Sequence, residues 1–269
     1  MADWDPALYH RFRRYRAEPV GWILARLPLQ ADDRVVDLGC GAGEHTIELA
    51  RRVAHGHVTG LDSSPAMIAR AMQLRAALAP ELRDRVRFVA GDFRTIADDR
   101  AYSVVFSNAA LQWAHHHRAV LTRWFRALTP GGRMAVQVPS NHEETAQATL
   151  GALAAEAAWR DLVGGLETPS HGVDSPENYR AMLAAIGFVA IDCYYLHFNH
   201  PMESPAAIVE FCRATALRPF LERLPADRQA EFIAAFTRRL EQAYGTCGPL
   251  NFPFRRLFLW ARRPASPPN

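Results

Sequence analysis

The chain has 269 residues, 49% of them hydrophobic, which is enough for one large α/β domain or two small ones with a well-buried core. Its formal net charge is +3, and the positive residues are spread along the chain instead of forming a block, which counts against nucleic acid as a partner. No stretch approaches the roughly 18 consecutive apolar residues of a spanning helix, so the sequence reads as soluble, untargeted and cytoplasmic, with no membrane partner.

After a polar, Arg-rich start, short β-branched or apolar runs at Arg34–Leu38, His57–Leu61, Val86–Ala90, Tyr102–Ser107 and Arg133–Val138 alternate with helical stretches. That alternation predicts repeated βαβ units and a mostly parallel sheet. Ser64-Pro65 starts one helix with a cap and an N1 proline, and Thr129-Pro130-Gly131-Gly132 reads as the turn that ends another. Beyond Val138 the reading is a helix over Glu143–Arg160, a loop over Gly164–Val173, a helix over Pro176–Ile186 and a strand over Phe188–Phe198. A helical insertion, Ser204–Tyr244, then precedes a last strand at Arg255–Ala261, and the tail from Pro264 to Asn269 is expected to be disordered. No linker or repeat divides the chain, so 1–269 is read as a single domain. Its core covers about 30–140 plus the strands near 188–198 and 255–261, and a helical lid comes from 1–25, 141–186 and 204–250.

The four cysteines, Cys40, Cys193, Cys212 and Cys247, lie far apart without ligand spacing, and three consecutive histidines, His115–His117, cannot point the same way on a helix. No metal site is expected. The chain contains no lysine, which removes Schiff-base and lysine-base chemistry and leaves Arg, His or backbone N–H groups to bind any anion.

The most informative stretch is Val35-Val36-Asp37-Leu38-Gly39-Cys40-Gly41-Ala42-Gly43, where a strand runs into a glycine-dense turn that opens a helix. A second acid, Asp62, ends the next strand about twenty residues on, the placement that suits a ribose diol. A dinucleotide fingerprint would place a third glycine at position 44, but Glu44 stands there, and Asp37 is a poor neighbour for a phosphate. Asp37 instead suits a ligand carrying an ammonium group and a sulfonium.

This arrangement resembles the class I S-adenosylmethionine-dependent methyltransferase family, and Gly91-Asp92-Phe93, Ser107 to Trp113 and Leu128 to Gly132 extend the likeness in order. The resemblance implies a Rossmann-like fold with a seven-stranded, mostly parallel sheet, helices on both faces and a helical lid. It implies S-adenosyl-L-methionine as cofactor, held by Asp37, Gly39, Gly41, Asp62, Ser63, Asp92, Phe93 and Asn108. Asp92 and Phe93 would face the adenine, and Asn108 the methionine part.

A closer resemblance, to the trans-aconitate 2-methyltransferase family, rests on Asp3-Trp4-Asp5-Pro6 with Leu8-Tyr9 and Phe12, Asp62 to Ala69, Asn108 to Trp113, Leu217 to Leu221, Arg239 to Tyr244 and Arg256-Leu257-Phe258. The sequence departs from it at Glu18, where a basic residue is expected, and in the loop around Gly164–Ser175. It implies methyl transfer to a carboxylate oxygen of a small polycarboxylic acid, by a monomer or homodimer. A carboxylate is already ionised at neutral pH, so no catalytic side chain is required beyond alignment in a dry site. Candidate acceptor-binding residues are Tyr9, Arg16, Trp113, Arg218, Arg255 and Arg256. The alternatives are another small acceptor, for which His171 or His197 could act as base, a protein that binds S-adenosylmethionine without turnover, and a nicotinamide-dependent oxidoreductase.

Overall fold

A computed structural model describes residues 12–213, 215–246 and 248–265, apart from the side chains of residues 13 and 16. Seven strands form one sheet in the order β3-β2-β1-β4-β5-β7-β6, with β1 Arg34–Leu38, β2 His57–Asp62, β3 Val86–Ala90, β4 Tyr102–Asn108, β5 Leu128–Pro139, β6 Val189–Met202 and β7 Leu250–Arg262. β1 pairs in parallel with β2 and β4, β2 with β3, and β4 with β5. β7 runs against β5: Gly131 near the start of β5 donates to Arg263 just past β7, while Ser140 just past β5 donates to Arg255 within β7. The strand order reverses between β1 and β4, and in open α/β sheets the crevice at the carboxyl ends of such strands is where ligands bind.

The chain divides into two compact units. Among the described residues, one comprises 16–138, 174–195 and 257–265, the other 12–15, 139–173 and 196–256. The first carries the parallel part of the sheet. β1 owes its place to Val35, Val36 and Leu38, all within about 1% of complete burial, the near-continuous apolar run of a strand covered on both faces. α1 (Arg13–Arg26) starts outside this unit and runs into it, and α2 (Glu44–Arg52) follows β1, burying Thr46, Ile47, Leu49 and Ala50 on one stripe. α3 (Pro65–Ala76) begins as the sequence predicts, with Ser64 accepting a hydrogen bond from the Met67 N–H and Pro65 in the first turn. The short α4 (Pro80–Arg83) and α5 (His117–Ala127) lead into β3 and β5.

The Thr129–Gly132 turn is corrected by the structure. β5 begins at Leu128, and where Tyr102 faces Leu128 and Val104 faces Arg133, residues 129–132 stand opposite Ser103 alone. The segment is therefore an irregularity inside the strand, with Gly131 at φ 77° and hydrogen-bonded to Arg263, rather than a separate turn before it.

The second unit is helical with an aromatic core. It holds α6 (Thr145–Ala154) and α7 (Arg160–Val163), two pieces where one long helix was expected, because the chain leaves the helix between Ala154 and Arg160. A 3₁₀ turn at Pro169–Gly172 occupies the expected loop. α8 (Pro176–Ile186), expected in the lid, groups with the sheet unit. α9 (Pro205–Arg213), α10 (Arg218–Arg223) and α11 (Ala226–Tyr244) complete the helical unit. α11 buries Phe232, Phe236 and Leu240, a strict i, i+4, i+8 stripe. Phe232 meets the Trp159 ring edge to face at 5.0 Å and stacks on Phe220 at 6.1 Å. Each such buried aromatic is worth about 1.5–3 kcal/mol of transfer free energy. Both final strands are longer than the sequence suggests, since β6 extends to Met202 and β7 begins at Leu250. Among the described residues no helix is long and apolar enough to cross a membrane. Of the expected disordered tail, 266–269 lies outside the described residues.

Candidate functional site

The ends of β1, β2 and β3 are tied together in the sheet unit by hydrogen bonds from loop amides. Gly39 and Cys40 donate to the Leu61 carbonyl at 2.8 and 3.0 Å, and Gly91 donates to the Asp62 carbonyl at 2.9 Å. The Asp62 carboxylate accepts from the Gly41 N–H and from the Ser64 N–H, each at 2.9 Å. Those two bonds fix the carboxylate, and a carboxylate has about four acceptor positions, so room for a diol remains. Ser63, beside it, is exposed.

The glycines are needed for two distinct reasons. Gly39 has φ 78°, and a Cβ there would lie 2.2 Å from the Ala110 Cβ, so the turn and the loop after β4 can approach only through a glycine. Gly41, at φ 56°, has open space where its Cβ would be, a cradle with backbone on one side and nothing filling it.

Asp37 is 2% exposed, and its one hydrogen-bond partner among the described residues is the Thr46 hydroxyl at 2.7 Å, reaching back from α2. Burial, outweighing the Thr46 bond and helped by the neighbouring charge of Asp62, pushes its carboxyl up to about 7. A cation is the natural complement of such a group, since it would favour the ionised form. Thr46 escaped the sequence reading. Its signal is a hydroxyl on the buried stripe of a helix that faces the strand bearing the acid.

Asp92 caps the 3₁₀ turn Phe93–Thr95: it accepts from the Arg94 N–H at 2.8 Å and pairs with the Arg94 guanidinium at 2.7 Å, which holds its carboxyl below the usual range. The Phe93 ring is buried and meets Trp124 edge to face at 6.1 Å, while its carbonyl accepts from Trp124 Nε1 at 3.0 Å. Asn108 ends β4 with a buried Oδ1 that has no partner, and Ala109 after it takes φ 56°, a conformation rare without glycine. Gln112 shares the pattern: its Nε2 donates to the Ala109 carbonyl at 2.7 Å while its Oε1 is buried without a partner. The loop at the switch point thus combines a strained residue with two buried acceptors that have no partner among the described residues. Gln112 is a second residue the sequence reading missed. Trp113 follows it, half-buried.

Three further acceptor candidates, Arg218, Arg255 and Arg256, lie in the helical unit. Arg218 pairs with Glu222 at 2.8 Å one turn on. Arg255 donates to the Ser140 carbonyl at 2.7 Å and pairs with Glu143 at 2.6 Å. Arg256 is 4% exposed, with its guanidinium 4.5 Å from the Phe254 ring centroid. Tyr9 and the Arg16 side chain lie outside the described residues, and Glu18 is exposed on α1. His197 is exposed, and His171 is half-exposed and paired with Glu167 at 2.9 Å. Of the three consecutive histidines only His117 is buried, its Nδ1 2.6 Å from the Tyr179 hydroxyl. Among the described residues no group of three His, Cys, Asp or Glu side chains could hold a metal ion.

Comparison with known proteins bears on this geometry. A family profile described as a methyltransferase domain matches residues 29–184, the span that carries the strand-end network. The trans-aconitate 2-methyltransferase of Variovorax paradoxus (strain S110) is 40% identical over 268 residues, covering 98% of this chain and all of its own. The chain belongs to this methyltransferase family. A protein of the same name from Paracidovorax citrulli (strain AAC00-1) is 39% identical over 269 residues, covering 98% of this chain and all of its own. Among solved structures, the YcgJ protein of Bacillus subtilis has a TM-score of 0.62 at 18% identity, covering 93% of this methyltransferase and all of that chain, a likeness of fold. The glycine turn, the two acids and the switch-point loop of this methyltransferase all lie within the matched span.

Proposed function

We propose that the protein transfers the methyl group of S-adenosyl-L-methionine to a carboxylate oxygen of a small polycarboxylic acid such as trans-aconitate, giving a monomethyl ester. The observation that carries the reading is the full-length identity of about two residues in five with proteins named trans-aconitate 2-methyltransferase. The site residues fit the cofactor: Asp37 and the unpartnered Asn108 Oδ1 suit its cationic end, Asp62 its ribose diol, and the cradle at Gly41 the backbone approach between them. Asp92 and Phe93 would sit at the adenine end, with Ser63 beside the ribose. The cofactor supplies an electrophilic methyl group on a sulfonium.

The chain's own residues have to bind, orient and exclude water. An acceptor carboxylate with a pKa near 4 is ionised at neutral pH, so no side chain has to remove a proton. Alignment in a water-poor site can supply effective molarities of order 10⁵ M or more. The acceptor's remaining carboxylates need fixed cations, and Arg256 is the strongest candidate because a charge-assisted bond gains strength where water is excluded, with Arg218, Arg255, Arg16, Tyr9 and Trp113 completing the set. In this reading 1–269 is one methyltransferase domain with the core and lid ranges given above, working in the cytoplasm as a monomer or homodimer.

The test is transfer of labelled methyl to a panel of di- and tricarboxylic acids, with base-labile product expected from trans-aconitate. Replacing Arg256 or Arg218 by Leu should raise the trans-aconitate KM about tenfold or more, the size of a lost charge-assisted bond. An unchanged KM in both variants would remove the arginine clamp, and no labelled acid at all would overturn the acceptor class.

A further inference from the structure

His200 lies in β6 inside the helical unit and is completely buried, yet neither ring nitrogen has a hydrogen-bond partner among the described residues. Its surroundings are aromatic: the nearest ring centroids are Tyr15 at 4.7 Å and Phe254 at 5.7 Å, with Phe211 and Phe252 behind them at 6.2 and 6.4 Å. Leaving one buried donor and one buried acceptor unmet costs about 1–3 kcal/mol each. Phenylalanine would fill such a cage without that cost.

Among the described residues, the charged groups that act on the ring are both cationic. Burial first, then Arg256 and Arg14, push the imidazole down to about 3, so it is neutral at physiological pH and carries a single N–H. Arg256 is itself buried, between the Phe254 and Phe198 rings at 4.5 and 5.9 Å. A neutral donor in a positive, apolar setting is the complement of an anion with a flat, desolvatable head. The rings and guanidiniums around His200 also show where an anion would enter. Phe198, Phe211, Phe252, Phe254 and Arg256 are buried, whereas Arg14 is exposed and Tyr15 half-buried, so among the described residues the solvent side of the cage is the first turn of α1. The Tyr15 hydroxyl is tied to the Pro201 carbonyl, next to His200 itself.

We propose that His200 is a specificity-determining residue whose ring N–H binds a carboxylate of the polycarboxylic acceptor, beside the Arg256 guanidinium, at a subsite opened by movement of Arg14 and Tyr15. The inference rests on the acceptor class proposed above and adds a residue and a subsite to it.

Two variants and one titration test it. His200→Phe keeps the shape of the cage and removes both nitrogens, and its thermal midpoint is expected to equal or exceed that of the parent. Its trans-aconitate KM should rise about 10- to 100-fold, the loss of a hydrogen bond to a charged group, with kcat at saturating acceptor and the S-adenosylmethionine KM within about twofold. His200→Gln, which retains an N–H donor, should recover part of the loss. A residue that only fills space would not shift acceptor KM alone. In the full-length protein, the ¹⁵N resonances of the His200 ring should move on titration with trans-aconitate and stay put with methanesulfonate. A folded His200→Phe protein with the parent's trans-aconitate KM would overturn the proposal, as would a His200 resonance unmoved at saturating trans-aconitate. If the parent methylates no polycarboxylic acid, the proposed function fails. The titration still decides the anion subsite, since a shift supports it and the absence of one removes it. If His200→Phe does not fold, His200→Gln and the titration decide.

Discussion

Two buried groups, Asp33 in the sheet unit and His200 in the helical unit, are treated in opposite ways. In the sheet unit a buried acid is met by several donors: Asp33, 4% exposed, accepts from the Gln30 N–H at 2.6 Å, from the Ser103 hydroxyl at 2.7 Å and from Arg133. In the helical unit His200 is fully buried with no partner, and Asn141 Nδ2 and Gln147 Oε1 are likewise unmet. A parallel sheet ends in loops whose backbone N–H groups are free to be aimed, whereas a cage of phenylalanines offers no donor or acceptor at all. In the sheet unit the unmet acceptors Asn108 Oδ1 and Gln112 Oε1 lie within one loop, at the switch point. Both units thus keep some buried side-chain polar atoms without a partner among the described residues.

That contrast can be broken by removing partners where they exist. Arg133→Ala strips the cation from buried Asp33 and should cost about 3–5 kcal/mol in urea unfolding, whereas a loss below about 1 kcal/mol would mean that Gln30 and Ser103 suffice. Asp37 should act in the opposite direction. Its carboxyl titrates near 7 in the folded protein against an ordinary value of 3.8, so the stability it contributes is full below about pH 4 and lost as pH rises through 7. In the ligand-free protein Asp37→Asn should match the parent at pH 4 and exceed it above pH 7 by an amount on the order of 4 kcal/mol, while losing cofactor affinity. Parallel stability curves from pH 4 to 8 would remove Asp37 as the source.

Gly39→Ala combines a left-handed backbone with a Cβ pressed against Ala110, and about 2–3 kcal/mol of destabilisation with loss of cofactor binding is expected by melting and calorimetry. Normal affinity would show that the turn can move away from the β4 loop. The smallest effect is expected from Trp124→Phe, which deletes the bond to the Phe93 carbonyl in a core that keeps its ring contact, about 1 kcal/mol with acceptor KM unchanged. A change in cofactor affinity there would tie the Asp92–Phe93 turn to the adenine end.

The run Val35 to Gly43 states a buried strand, a turn and a helix start in nine residues, and Ser64-Pro65 states another helix start. These are local rules of backbone geometry and capping, so they survive folding unchanged, whereas the order of the strands in the sheet came only from the tertiary structure. The Thr129–Gly132 segment misled because its proline and glycines signal a turn locally, while pairing with Tyr102, Val104 and Arg263 keeps the chain in strand. The break between Ala154 and Arg160 was hidden because alanine and glutamate favour helix whether or not packing continues it.

The sequence by itself determined the parallel sheet, its glycine turn and the two acids beside it, because spacing along one chain sets what a strand end and the next helix can reach. Tertiary structure alone decided that Thr46 answers Asp37, that Ala110 presses on Gly39, and that His200 stands beside Arg256 among phenylalanines from β6, α9 and β7. Those relations join residues up to 71 positions apart through packing, and burial, which sets both the Asp37 carboxyl and the His200 ring far from their ordinary behaviour, exists only once the chain has closed around them.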